Sequence, residues 1–270
     1  MNRIDSKFAE LKTKNEKALI AFITAGDPNL EDTESFFHSL EETGADLIEL
    51  GIPFSDPSAD GPVIQRSSER ALRAETNLES VLELVEKIRI RSQTPIILMG
   101  YYNPVLQFGV EKFCIRAAQA GVDGLIVVDL PPEESDELAL PAAKQGLHFI
   151  YLLTPTADDS RIQKVKSKAS GFIYFVSVTG ITGSKLPDEK NIKNQILKIK
   201  KNIPLPLCVG FGIQSAEQAK LFSSFSDGVV VGSALVSIIE ENNSVLACQK
   251  LRGKIREIKS SLSLLLRQEA

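Results

Sequence analysis

Eight short apolar runs recur along the chain: Ala18 to Ile23, Asp46 to Leu50, Pro95 to Met99, Gly124 to Val128, His148 to Leu152, Phe172 to Val176, Pro206 to Val209 and Gly228 to Val231. They are continuous rather than alternating, the pattern of parallel strands buried on both faces. Helical periodicity lies between them. Val110, Phe113, Cys114 and Ala117 form a stripe that ends at Gly121, and Leu251, Ile255, Ile258, Leu262 and Leu265 form another near the C-terminus. Eight strands with a helix after each predict an α/β fold of the (β/α)8 TIM-barrel class, with residues 1–270 as a single domain and active-site groups at the C-terminal ends of the strands. The alternative is an open doubly wound sheet, which needs a switch point and usually has fewer strands. Two details favour the barrel: no linker-like stretch divides the chain, and Ile4, Phe8 and Leu11 predict an N-terminal helix able to plug the barrel bottom. Extra helices are expected in the loops after strands two and eight. Pro141 falls inside the helical segment Glu133 to Gln145, so that helix is expected to kink or restart.

The length of 270 residues suits one such barrel, whose typical size is about 250. A net charge of −4 with dispersed Lys and Arg leaves no nucleic-acid footprint. The opening MNRIDSKFAELKTKNEK is charged throughout, and no apolar run approaches the ~20 residues of a membrane span, so a cytoplasmic protein without membrane association is expected. Cys114, Cys208 and Cys248 are odd in number and far apart, which suits core packing better than a disulfide framework or a zinc site.

Chemistry concentrates in DLIELGIPFSDPSADGPVIQ, Asp46 to Gln65. Glu49 sits where the second strand ends, and Asp56 and Asp60 follow on a Gly/Pro-rich loop. A carboxylate at an apolar strand end is desolvated and its pKa rises, whereas one on a polar loop is expected to stay ionised. Two carboxyl groups pushed apart in this way can divide acid and base roles. From spacing alone Asp60 remains open between a turn residue and a functional acid. The expected rim comprises Thr24, Glu49, Tyr101, Asp129, Thr154, Ser177, Gly210 and Gly232.

After strand seven comes Val209-Gly210-Phe211-Gly212-Ile213, and after strand eight Val231-Gly232-Ser233-Ala234, each leading into a helix. Glycines and helix N-termini at these two loops form the usual phosphate site of such barrels. Thr179 to Asp188, TGITGSKLPD, reads as a lid at the same rim, with Gly183 and Ser184 as further donors. The only histidines, His38 and His148, fall on a helix and near a strand start, and no lysine ends a strand. A histidine-rich metal site and a Schiff-base nucleophile are therefore not expected. What remains is carboxylate acid/base chemistry on a phosphorylated substrate that supplies its own electron sink.

With these residues in view, the chain resembles the tryptophan synthase alpha chain family, through ELGIPFSDPSADGPVIQ from Glu49, AFITAGDP from Ala21, MGYYNP from Met99, GVDGLIVVDLPPEES from Gly121, TGITG from Thr179, VGFGI from Val209 and VVVGSALV from Val229. The resemblance implies cleavage of indole-3-glycerol phosphate to indole and glyceraldehyde 3-phosphate without cofactor or metal. It implies Glu49 as the general acid/base and Asp60 as the group that holds the indole N–H. Phe22, Met99, Tyr101, Val128, Leu152, Tyr174 and Phe211 match positions lining the substrate pocket, and Thr182 matches the lid threonine. Gly183, Gly212, Gly232 and Ser233 match phosphate-binding positions. A pyridoxal-phosphate beta chain in an α2β2 assembly is the implied partner, met by the loop with Asp56 and Pro57 and by the turn Asn103-Pro104; pyridoxal phosphate would belong to that partner. Val178 departs from the polar residue of some relatives beside the lid. The alternatives are a stand-alone lyase that releases indole, a non-catalytic subunit that activates its beta partner, and another phosphate-binding barrel, which would need His or metal ligands at the rim.

Overall fold

A computed structural model describes residues 1–176 and 189–263. Its strands are β1 (Ala18–Thr24), β2 (Leu47–Gly51), β3 (Ile96–Gly100), β4 (Gly124–Val127), β5 (His148–Phe149), β6 (Tyr151–Leu153), β7 (Ile173–Val176), β8 (Leu207–Gly210) and β9 (Gly228–Val231). All are parallel, in the order β5-β4-β3-β2-β1-β9-β8-β7-β6. The expected fifth strand is thus two short pieces, broken at Ile150. β5 pairs with β4 and β6 with β7, while the Ile150 N–H still donates to the Leu125 carbonyl at 2.9 Å. Eight strand runs therefore close the circle.

The register carries the barrel's stagger. From Phe22 it passes through Glu49, Ile97 and Gly124 to His148. From Ala18, the other way round, it passes through Gly228, Cys208 and Tyr174 to Leu152. The two paths are four residues apart on β1 and four apart on the fifth strand, which together make the shear of eight that defines this barrel.

Alternation along each strand then sorts side chains into two cores. Leu19, Ala21, Ile23, Ile48, Leu50, Ile96, Leu98, Leu125, Phe149, Tyr151, Ile173 and Val209 pack outward against the helices. Ile20, Leu47, Ile97, Ile126, Ile150, Phe172, Tyr174, Cys208 and Val230 fill the barrel interior. Ile4, Phe8 and Leu11 of α1 (Arg3–Thr13) join that inner set, with the Phe8 and Phe172 rings 5.7 Å apart, so the N-terminal helix plugs the bottom as expected.

Helices α2 (Leu30–Glu41), α3 (Pro62–Arg73), α4 (Leu78–Arg89), α5 (Tyr102–Phe108), α6 (Val110–Ala120), α7 (Asp136–Lys144), α8 (Asp159–Lys168), α9 (Glu189–Asn202), α10 (Ala216–Ser223), α11 (Ser233–Glu241) and α12 (Ser244–Ser263) complete the described chain. Their ends follow local chemistry: Asn77 and Ser80 form a capping box on α4, and Gly121 stops α6 at φ +95°. Extra helices occur where expected, α3 with α4 after β2 and α11 with α12 after β9. Leu251, Ile255, Ile258 and Leu262 of α12 are buried; Leu265 lies outside the described residues.

Three expectations are corrected. Asn103-Pro104 is not a free turn but belongs to α5, an additional helix after β3; Pro104 lies in its first turn, where the missing N–H is not needed. α7 starts later than the segment Glu133 to Gln145 and continues through Pro141, so of the expected kink or restart the restart does not occur. Cys114 and Cys208 are core residues, but Cys248 is only half-buried. Among the described residues no helix is long and apolar enough to cross a membrane.

Candidate active site

Glu49 is not at the end of β2 but at its middle, with Leu50 and Gly51 still ahead of it in the ladder. Because Leu47 faces the barrel interior and Ile48 and Leu50 face outward, Glu49 points inward, one step above the apolar layer. It is fully buried, and neither carboxyl oxygen has a hydrogen-bond partner among the described residues. With nothing to compensate the loss of water, burial pushes the carboxyl up to about 8. At neutral pH the group is a carboxylic acid.

Asp60 lies two residues before α3, on the loop that follows β2. Its Oδ2 accepts a 2.9 Å hydrogen bond from the Tyr101 hydroxyl, which in turn accepts from the Ala59 N–H at 2.9 Å. Gln65 of α3 donates to the Asp60 carbonyl at 2.8 Å, fixing the loop from the helix side. Burial raises the Asp60 pKa, against the lowering effect of the Tyr101 hydroxyl. Tyr101 itself is buried, with its ring 5.1 Å from that of Phe54. Its part as the holder of Asp60 was not visible in the sequence, since the two are 41 positions apart. Asp56, by contrast, is exposed, and its side chain accepts a local bond from Ser55.

The space between the carboxyl groups is shaped by interior-facing positions. Phe22 is the β1 register partner of Glu49, and Met99, Val128, Leu152 and Val176 pack on the inner cluster from the top. The buried Tyr174 phenol is pushed well up, first by burial and then by Glu49, Cys208 and Asp60, so both carboxyl groups address this one ring. Glycines at the same level leave room. A Cβ on Gly51 would lie 2.7 Å from the Phe22 ring, and one on Gly210 would lie 2.4 Å from the Tyr174 ring. A cavity of about 500 Å³ opens beside β4 and β6, with Val128, Leu152 and Thr154 on its wall. Phe211 does not join this inner set. Its ring packs outward on Phe175 and Phe222, at 5.5 and 5.4 Å.

At the opposite wall, Gly212 follows β8 with φ +63°, and Gly232 caps α11 without a side-chain hydrogen bond to the helix. Such a helix start offers its first N–H groups to an anion. Ser233, the first residue of α11, has a buried hydroxyl with no partner among the described residues. Thr182 and Gly183, like Ser177, Val178, Ser184 and the rest of the expected lid, lie outside the described residues. Among the described residues no group of three or more His, Cys, Asp or Glu side chains is arranged to hold a metal ion.

Fold and site together define a (β/α)8-barrel enzyme built around a buried carboxylic acid. Residues 8–263 match the family model for the tryptophan synthase alpha chain. The chain is 52% identical to the tryptophan synthase alpha chain of Geotalea uraniireducens over 262 residues, covering 97% of this chain and 98% of the relative. It superposes on tryptophan synthase subunit alpha from Legionella pneumophila with a TM-score of 0.91 at 42% identity, covering 97% and 99% of the two chains. A chain of the tryptophan synthase complex from Pyrococcus furiosus gives a TM-score of 0.83 at 38% identity, covering 90% of this chain and 98% of that one. The chain belongs to the tryptophan synthase alpha chain family, and with it to the carbon–carbon lyases that act on indole-3-glycerol phosphate.

Proposed function

We propose that Glu49 and Asp60 carry out the retro-aldol cleavage of indole-3-glycerol phosphate as an acid/base and a stabilising carboxylate. The observation that carries this reading is the buried Glu49 carboxyl, without a hydrogen-bond partner among the described residues and with its pKa raised to about 8. Glu49 gives its proton to indole C3, and the ring becomes an indolenine cation with its charge spread towards the nitrogen. Asp60, anionic and held by the Tyr101 hydroxyl, accepts the indole N–H and stabilises that charge. The glycerol hydroxyl next to C3 then loses its proton to the Glu49 carboxylate. Its C–O bond becomes a carbonyl, the C–C bond to the ring breaks, and the electron pair restores the indole. Glu49 ends protonated, as it began.

Phe22, Met99, Tyr101, Val128, Leu152 and Tyr174 line the indole pocket, with Phe211 backing Gly212 from the helix side. The phosphate lies at Gly212, Gly232 and Ser233, whose hydroxyl has no partner among the described residues, which supports this placement; Gly183 adds a donor and Thr182 closes the lid. The whole chain, residues 1–270, acts as one cytoplasmic domain without a cofactor of its own. Asp56, Pro57, Asn103 and Pro104 meet a beta chain in an α2β2 assembly that receives the indole and carries the pyridoxal phosphate. Tyr101 supports this link, because it touches the Asp60 loop and immediately precedes α5.

The test is indole release from indole-3-glycerol phosphate, measured with and without a beta chain. Wild-type protein is expected to turn over and Glu49→Gln to lose turnover while staying folded. Near-wild-type activity in Glu49→Gln would remove Glu49 from the mechanism. Activity that a beta chain leaves unchanged, with no complex on sedimentation, would favour the stand-alone lyase.

A further inference from the structure

Behind the site, away from the substrate, Arg70 of α3 joins three βα units that are neighbours around the barrel. Its Nε and Nη2 donate to the two carboxylate oxygens of Asp27, both at 2.8 Å. Its Nη1 donates to Glu240 at 2.8 Å. Asp27 lies on the loop after β1 and is 1% exposed. Glu240 lies on α11, the helix that begins at Ser233, and it also receives a two-bond contact from Arg66 at 2.7 and 2.8 Å. One turn back on α3, the Ser67 and Thr24 hydroxyls share a buried 2.6 Å hydrogen bond. Just past α3, Thr76 fills the space beside Gly26, where a Cβ would fall 1.9 Å from its hydroxyl. At its other end α3 holds the Asp60 loop through Gln65.

A buried ion pair contributes little stability compared with apolar residues of the same shape. What a guanidinium fork adds is fixed geometry, since it meets a carboxylate in one plane with two parallel bonds. Here that geometry sets α3 against the end of β1 on one side and α11 on the other. α3 carries the Asp60 loop and α11 carries the expected phosphate site.

We infer that Arg70 is a positioning residue of the reaction, holding the Asp60 loop and the phosphate-binding helix in one register through Asp27 and Glu240. Arg70 is not among the residues proposed to touch substrate. The inference rests on the proposed roles of Asp60 and Ser233. Displacements near 1 Å at a reacting group cost up to ~10²-fold in rate, so loss of the fork shows in kinetics before it shows in folding.

Two variants separate positioning from plain stability. Arg70→Lys keeps a positive charge beside buried Asp27 but loses the planar fork. It is expected to lower kcat about tenfold and raise KM several-fold, because both halves of the site lose their common reference. Glu240→Gln leaves the Arg70–Asp27 fork intact and loosens only α11. It is expected to raise KM, and the Kd for glycerol 3-phosphate as probe, about threefold while kcat stays within about twofold. Circular dichroism at the assay temperature checks that each variant is folded. Unchanged kcat and KM in both variants, with only the melting temperature lowered, would overturn the inference. So would a fall in kcat with Glu240→Gln equal to that with Arg70→Lys. Wild-type protein that releases no indole would instead sink the functional reading itself.

Discussion

Replacing Glu49 by glutamine should make the protein more stable relative to wild type as pH rises, by an amount that follows from its burial. In the unfolded chain the carboxyl titrates near its ordinary 4.5, and in the fold it titrates at about 8. The folded value is raised, so the folded state holds the proton more tightly than the unfolded one. The stability associated with that proton is complete below pH 4.5 and is lost as pH rises through 8. At ~1.36 kcal/mol per pH unit the whole loss is about 5 kcal/mol, of which about 4 falls between pH 5 and 9. Glutamine cannot ionise, and its neutral amide replaces a neutral acid of nearly the same shape. Other titrating groups are common to both proteins and cancel in the difference. Urea unfolding of wild type and Glu49→Gln at pH 5, 7 and 9 measures that difference, provided the denaturant slopes agree. The stability gap should widen in favour of the variant by about 4 kcal/mol from pH 5 to pH 9. A gap constant to within ~1 kcal/mol would mean that Glu49 is solvated or paired, and the argument for a buried acid would fall.

On the proposed mechanism the same proton governs rate: kcat/KM should fall about tenfold per pH unit above about 8 as Glu49 ionises, and a profile flat to pH 10 would contradict its role as the acid. Tyr101→Phe removes the hydroxyl that donates to Asp60 and accepts from Ala59. A hydrogen bond to a charged group contributes ~1.5–3 kcal/mol, so steady-state kinetics should show kcat reduced roughly 10- to 100-fold, and an effect below twofold would leave Asp60 held by something else. Gly210→Ala places a methyl group 2.4 Å from the Tyr174 ring. Overpacking of ~1–3 kcal/mol there should push the ring into the pocket and raise KM about tenfold, whereas an unchanged KM would show that the ring has room to retreat.

Fold class was legible because buried parallel strands leave unbroken apolar runs, and seven of the eight expected runs became single strands. The break at Ile150 left no mark, since an interruption of one residue in a strand core keeps the same apolar pattern. α5 was missed because Asn103-Pro104 carries turn chemistry, yet the first turn of a helix accepts the same residues. The site was legible in part. Glu49 stood out as an acid in an apolar strand, but its depth depends on the parity of β2 within a closed barrel, which fixes Leu47 inward and Leu50 outward. Asp60 was open on spacing alone, because its burial comes from Tyr101 on the next strand unit. Arg70 carried no signal, since an arginine on an exposed helix pattern acquires its meaning only when Asp27 and Glu240 arrive from elsewhere in the chain.

One rule of the barrel explains both its stability and its site. Interior positions on the eight strand runs alternate with outward ones, and in the lower layers they carry Ile20, Leu47, Ile97, Ile126, Ile150 and Phe172, which close-pack over the plug of α1. One step higher on the same strands the side chains become unequal: Phe22 and Tyr174 are large, Glu49 is charged when ionised, and Gly51, Gly210 and Gly232 have no side chain at all. The large residues rest against the glycines, which leave them space. A layer of rings suits a flat apolar ligand, and the Glu49 carboxyl that faces inward from it is kept protonated by the packed layer beneath, which excludes water from that side. Filling the glycine positions would remove the room, and admitting water from below would lower the Glu49 pKa. On the proposed mechanism the acid's reactivity therefore depends on the tight lower core as much as on the upper layer, and a cavity-forming change such as Phe8→Ala in the plug should shift the alkaline limb of the rate profile to lower pH although Phe8 lies at the barrel bottom.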